Sequence, residues 1–183
     1  MNAQERGDRV LKSLANGAAR EKWSRDPVSY MQDAGFSGDL PGAIRAHALT
    51  EDGKARLRAY LSSLDLEVDG GSGRLLGSGW WACTGCKVGI GATVFAITAV
   101  IVAACIAAVA ATDGAAAPAE AAASEMIEAG TVTAEVAAVS AETGLTAARV
   151  AKIFVTAFLA YGAASFAEEA IEALCKATGA CAA

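Results

Sequence analysis

The chain has 183 residues and a formal net charge of −5, with 54% hydrophobic residues but only 6% aromatics, so it has the length of one domain, or of a leader plus one domain. The charge is uneven: residues 1–79 carry eleven acids and eleven bases, whereas residues 80–183 carry nine acids and four bases. With no basic patch to neutralise phosphates, nucleic acid is excluded as an expected partner.

Residues 1–66 are mixed, charged and helical in pattern. Met1 to Arg25 is dense in charge and has no apolar h-region, so no general secretory signal is expected there and export would need another route. Asp26-Pro27 is a helix start, with Asp at the N-cap and Pro in the first helical position. Gly35 suits the corresponding stop, and Leu40-Pro41-Gly42 reads as a turn. Thr50 can cap a helix running to about Leu64, with Leu57, Leu61 and Leu64 on one face. Residues 67–79 (EVDGGSGRLLGSG) hold five glycines in thirteen positions. That density opposes a helix and marks a linker, a natural place for proteolysis.

Residues 80–183 are rich in alanine and contain all five cysteines. Alanine loses no side-chain entropy in a helix, so the composition favours helices. Val88–Ala111 is uncharged over twenty-four residues. At ~1.5 Å per residue it reaches ~36 Å, enough for a hydrocarbon core of ~30 Å. Trp80 and Trp81 precede it, and indoles favour the membrane interface. The expected membrane-contacting residues are Trp80, Trp81, Phe95, Ile97, Val100, Ile101 and Val102. The same run also reads as a fully buried helix of a soluble bundle, with the tryptophans capping its end; both descriptions hold if the helices open on lipid.

Beyond Asp113-Gly114 lies the low-complexity stretch AAAPAEAAASEM. Glu120, Glu125, Glu128, Glu135 and Glu142 are read as solvated faces of alanine-rich helices. Thr143-Gly144 breaks the chain. Leu145 to about Gly162 is a second apolar helix, and Ser165 to Lys176 a final amphipathic one with Glu168, Glu169 and Glu172 on one side. The expected fold is all-α: a small helical leader region (1–66), a Gly-rich linker (67–79), and a bundle of four to five helices (80–183) with Val88–Ala111 at its centre.

Cys83 and Cys86 open the apolar region and Cys175 and Cys181 close it, which suggests covalent stapling of its two ends. Four cysteines allow three connectivities. A link between the clusters would close a loop of roughly ninety residues, worth ~4–5 kcal/mol on the chain-entropy account. A Cys₄ zinc site, a thioredoxin-type redox pair and reduced thiols are the other readings. Cys105, inside the apolar run, reads as a small buried hydrophobe. His47 is the sole histidine, and no phosphate-binding motif or acid pair at a catalytic spacing accompanies it. Neither an enzyme, a cofactor nor a metal is expected.

Cys83-Thr84-Gly85-Cys86-Lys87, followed by a Gly/Ala apolar run and ending in Leu174-Cys175-Lys176-Ala177-Thr178-Gly179-Ala180-Cys181, resembles the halocin-type bacteriocins. These are helical, cysteine-containing microbial toxins, made as longer precursors whose upstream portion can serve in immunity. Leu61-Ser62-Ser63-Leu64-Asp65-Leu66-Glu67-Val68-Asp69-Gly70-Gly71 is similar to a double-glycine bacteriocin leader. That likeness implies a cut after Gly71, made by a leader-processing protease and exporter; the same residues also read as a plain linker. Together the resemblances imply a cytoplasmic precursor of a secreted antimicrobial peptide that acts on target-cell membrane lipid; self-association in the membrane is a further expectation. An uncleaved membrane or immunity protein and a soluble helical interaction module are the alternatives.

Overall fold

The computed structural model describes residues 2–36, 51–64, 78–111 and 133–182. Among them all regular structure is helical, as expected of an all-α chain. Three short helices come first: α1 (Ala3–Ser13), α2 (Gly17–Arg25) and α3 (Pro27–Asp33). Each starts on a side chain that accepts from its open N–H groups: Asn2, Asn16 and Asp26 respectively. Asn2 forms a full capping box, its amide oxygen 2.8 Å from the Glu5 N–H while the Glu5 carboxylate accepts from the Asn2 N–H at 2.9 Å. Asp26 and Pro27 start α3 as the sequence indicates, and Gly35 follows it with a positive φ of 80°.

Helix α4 (Glu51–Ser63) buries Leu57, Tyr60 and Leu61. Helix α5 (Ser78–Ala111) is the longest, and its side chains are described from Ala82 to Thr98. It begins inside the stretch read as linker, because Ser78 and Gly79 are already helical. From Val88 to Thr98 every residue is buried, as four neighbours lie around α5: α1, α4, α6 (Thr133–Thr143) and α7 (Ala147–Ala177). Burial on all sides explains why this segment shows no polar face.

Helix α6 stops at Thr143, and Gly144 takes a φ of 71° that only glycine adopts freely. Thr146 then caps α7, accepting from the Arg149 N–H at 3.3 Å. Helix α7 is in fact two arms. Gly162, with φ 70° and ψ 178°, interrupts it, and the arms lie against each other: the ring of Phe166 sits 5.7 Å from that of Phe154 and 6.2 Å from that of Phe158. Val150, Phe154, Phe166, Ala170, Ile171 and Leu174 are completely enclosed.

A single core runs through these elements, from Ala3, Val10 and Leu14 through Ile90 and Ile97 to Val139 and Leu174. The change of composition at residues 67–79 is therefore not a boundary in packing. Each of the fully buried Leu, Ile and Phe side chains stabilises the fold by ~1.5–3 kcal/mol relative to exposure.

Candidate functional site

Among the described residues, α1 seats closely on the first half of α5. Helix α1 buries Ala3, Arg6, Gly7, Val10 and Leu11, positions three and four apart that form one stripe. Ala3 and Gly7 are spaced four apart, as are Gly85 and Gly89 on α5. A Cβ added to Gly7 would fall 1.6 Å from the Gly85 carbonyl oxygen, and one on Gly89 would fall 1.6 Å from the Ala3 carbonyl oxygen. On Gly85 it would lie 2.6 Å from Asp8 Oδ1 and 2.9 Å from Gln4 Nε2, two groups that are themselves joined by a 3.0 Å hydrogen bond. Backbone meets backbone here, and only residues without side chains permit it.

Arg6 lies in the same seat with its side chain 1% exposed. Its Nη2 stands 2.7 Å from Glu142 Oε1 and donates to Thr93 Oγ1 at 3.1 Å and to the Gly89 carbonyl at 3.4 Å. The guanidinium thus ties α1 to α5 and α6 at once. Among the described residues neither Glu142 oxygen receives a well-aligned hydrogen bond, so the nearby positive charge is what compensates this carboxylate. Glu135 and Glu142, read from sequence as solvated, are both buried, at 6% and 9% exposure. The partner of Glu142 comes from the far end of the chain, which helical periodicity within α6 cannot reveal.

A second, weaker seam joins α3 to α4. Arg58 donates through Nε and Nη2 to the two oxygens of Asp26, each at 3.1 Å. The Arg58 hydrogen bond holds the Asp26 carboxyl at a pKa of about 2, below its ordinary 3.8. Tyr60, further along α4, stacks on Phe95 of α5 at 5.5 Å, and burial pushes its phenol well above the usual range.

The cysteines resolve into two bridges. Cys83 pairs with Cys181 and Cys86 with Cys175, with Cα atoms 4.4 and 5.9 Å apart. Of the three connectivities, this one joins the start of α5 to the end of α7 and to the turn just beyond it, with the two segments antiparallel. The neighbours Cys83 and Cys86 are each bonded to a cysteine of the other cluster and not to each other, as a thioredoxin-type pair would be. The longer bridge closes 98 residues of chain, worth ~4–5 kcal/mol on the chain-entropy account. The second closes only the short ring left between the two and contributes less.

Of the other residues singled out from sequence, Phe95 and Ile97 are buried in the core at 5% and 0% exposure. They face protein, so contact with lipid through them requires the bundle to open. Trp80, Trp81, Val100, Ile101, Val102 and Cys105 lie in α5, but their side chains are outside the described residues, as are Gly70 and Gly71 entirely. Among the described residues no single helix is long and apolar enough to cross a membrane; α6 and the first arm of α7 qualify only as a pair bent by 110°. A groove of about 860 Å³ is lined from both arms of α7, with Arg149, Lys152 and Lys176 at one end and Tyr161 at the other. Lys176 pairs with Glu172 at 3.1 Å, which lowers the pKa of that carboxyl.

The α1 seat escaped the sequence reading. Its signals were present, though: small residues four apart in both segments, and an arginine on the apolar stripe of α1. No family model, curated protein or solved structure matches this chain.

Proposed function

We propose that this chain is the precursor of a secreted, membrane-active antimicrobial peptide of the bacteriocin kind. In this reading a cut after Gly71 separates the N-terminal region from the disulfide-stapled helices, which then permeabilise a target membrane. The observation that carries it is the pair of bridges, Cys83–Cys181 and Cys86–Cys175. Disulfides persist in oxidising surroundings and are rare where glutathione keeps thiols reduced, so a doubly stapled domain fits work outside the cytosol. The seat of α1 gives the N-terminal region a role before release: it covers α5 along Gly85, Gly89 and Thr93 and neutralises Glu142. Departure of α1 would uncover this face of α5 and take the counter-charge away from Glu142, loosening the closed bundle.

One observation favours a second reading, an uncleaved membrane or immunity protein. Helix α1 shares a single core with the helices that the disulfides join, as a permanent element would.

Intact mass spectrometry of material released by producing cells separates the two. Residues 72–183, lighter than the reduced chain by the four hydrogens of two disulfides, are expected for the toxin precursor. Full-length chain confined to the cells would overturn that reading in favour of the second. Dye-filled liposomes that stay sealed on addition of the released species would remove the permeabilising activity.

A further inference from the structure

The two arms of α7 form a hairpin whose ends differ in chemistry. From Ile153 to Ala167 the sequence carries no charge over fifteen residues. The bend at Gly162 lies within this stretch. Leu159 and Tyr161, beside the bend, are 51% and 55% exposed, and they are the large hydrophobic side chains left exposed among the described residues. The charges gather at the other end: Arg149, Lys152 and Lys176 against Glu168, Glu169 and Glu172, three of each sign.

We propose that the tip of this hairpin, Phe158 to Ser165, docks the folded protein on a lipid surface. The inference rests on the membrane-active reading above and names the element that makes first contact. A protein partner is the poorer occupant. A stable protein interface needs ~800 Å² from each side, whereas the exposed halves of one leucine and one tyrosine supply on the order of 200 Å². Their surroundings at the tip, Ala160, Gly162 and Ala164, add little. A lipid surface requires no complementary shape and accepts two apolar side chains at the end of a rod.

The dimensions agree. Glu168 stands six residues beyond the bend, ~9 Å along the arm. That matches the ~5–10 Å to which interfacial helices sink into the headgroup and acyl boundary. Tyr161 is also of a type that favours the membrane interface, an apolar ring with one polar group. The end that stays in water is balanced in sign, so docking is driven by apolar transfer rather than by anionic lipid.

The test is flotation of the full, oxidised chain with phosphatidylcholine vesicles, with and without added phosphatidylglycerol, alongside the double variant Leu159→Ser/Tyr161→Ser. Both positions are exposed, so helicity and both disulfides should survive, as checked by circular dichroism and unreduced mass. The wild type should float equally with both vesicle types, and the variant's partition should fall about tenfold or more. A folded variant that floats as well as wild type overturns the tip and leaves the membrane reading standing. Wild-type binding only to vesicles containing phosphatidylglycerol overturns the tip in favour of charge-driven binding. Tip-dependent flotation with dye-filled vesicles left sealed supports the tip and removes the permeabilising function. No flotation at all overturns both.

Discussion

The N-terminal helices are fastened by two arginine–carboxylate pairs of similar chemistry and very different circumstance. Arg6 meets Glu142 with both side chains almost wholly enclosed, while Arg58 meets Asp26 with the two side chains 44% and 33% exposed. Water can take the place of either partner in the outer pair and of neither in the inner one. The inner pair therefore decides whether α1 is seated; the outer pair only reinforces the contact of α3 with α4. A surface pair of this kind is worth ~0–1 kcal/mol. Removing one member of a buried pair costs ~3–5 kcal/mol, because the other is left charged and dry.

The sharpest way to break this contrast is Arg6→Ala. Urea unfolding should show a loss of ~3–5 kcal/mol, and the double variant Arg6→Met/Glu142→Leu should recover most of it. An equally large loss in the double variant would mean that packing, not charge, makes the seat. The next effect is steric. Gly89→Ala places a methyl against the Ala3 carbonyl and should cost ~1–3 kcal/mol as overpacking. The comparison at Gly17, where an added Cβ meets nothing closer than Arg20 Nη2 at 4.0 Å, should instead stabilise by ~0.4–1 kcal/mol through the unfolded chain. Equal effects at the two glycines would dissolve the distinction between a seat and an ordinary surface.

Arg58→Ala should cost no more than ~1 kcal/mol at neutral pH, with a signature in pH. The folded-state pKa of Asp26 is depressed, so its contribution is fully present above the ordinary value of 3.8 and disappears as pH falls through about 2. The difference in stability between wild type and Arg58→Ala should shrink across that window. A difference that stays constant down to pH 2 would detach Asp26 from the seam.

What was readable in the sequence was what neighbouring residues decide. Asp26-Pro27 starts a helix, Gly35 and Gly144 follow helix ends at positive φ, and the apolar run after Lys87 is helical because its composition permits little else. The break near Gly162 was legible for the same reason, although not that the two arms fold back on Phe166. Long-range choices were hidden. Five glycines suggested that residues 67–79 lacked a helix, yet α5 takes in Ser78 and Gly79, and local composition cannot report where tertiary packing sets a helix end. The cysteine spacing offered three pairings; only the antiparallel course of the start of α5 and the end of α7 selects one. Glu142 looked solvated because a helical wheel shows a carboxylate among alanines and not the arginine that arrives from α1.

The nested bridges also fix which parts of the polypeptide a protease can detach. A single cut between Cys86 and Cys175 opens the ring but frees no fragment, since both pieces stay joined through sulfur; cuts between the two cysteines of either cluster behave alike. Ahead of Cys83 no such tether exists, so one cleavage there leaves everything before the cut held by packing alone. The covalent topology thus sorts the chain into a portion that stays tethered after a nick and a portion that one nick leaves without a covalent hold.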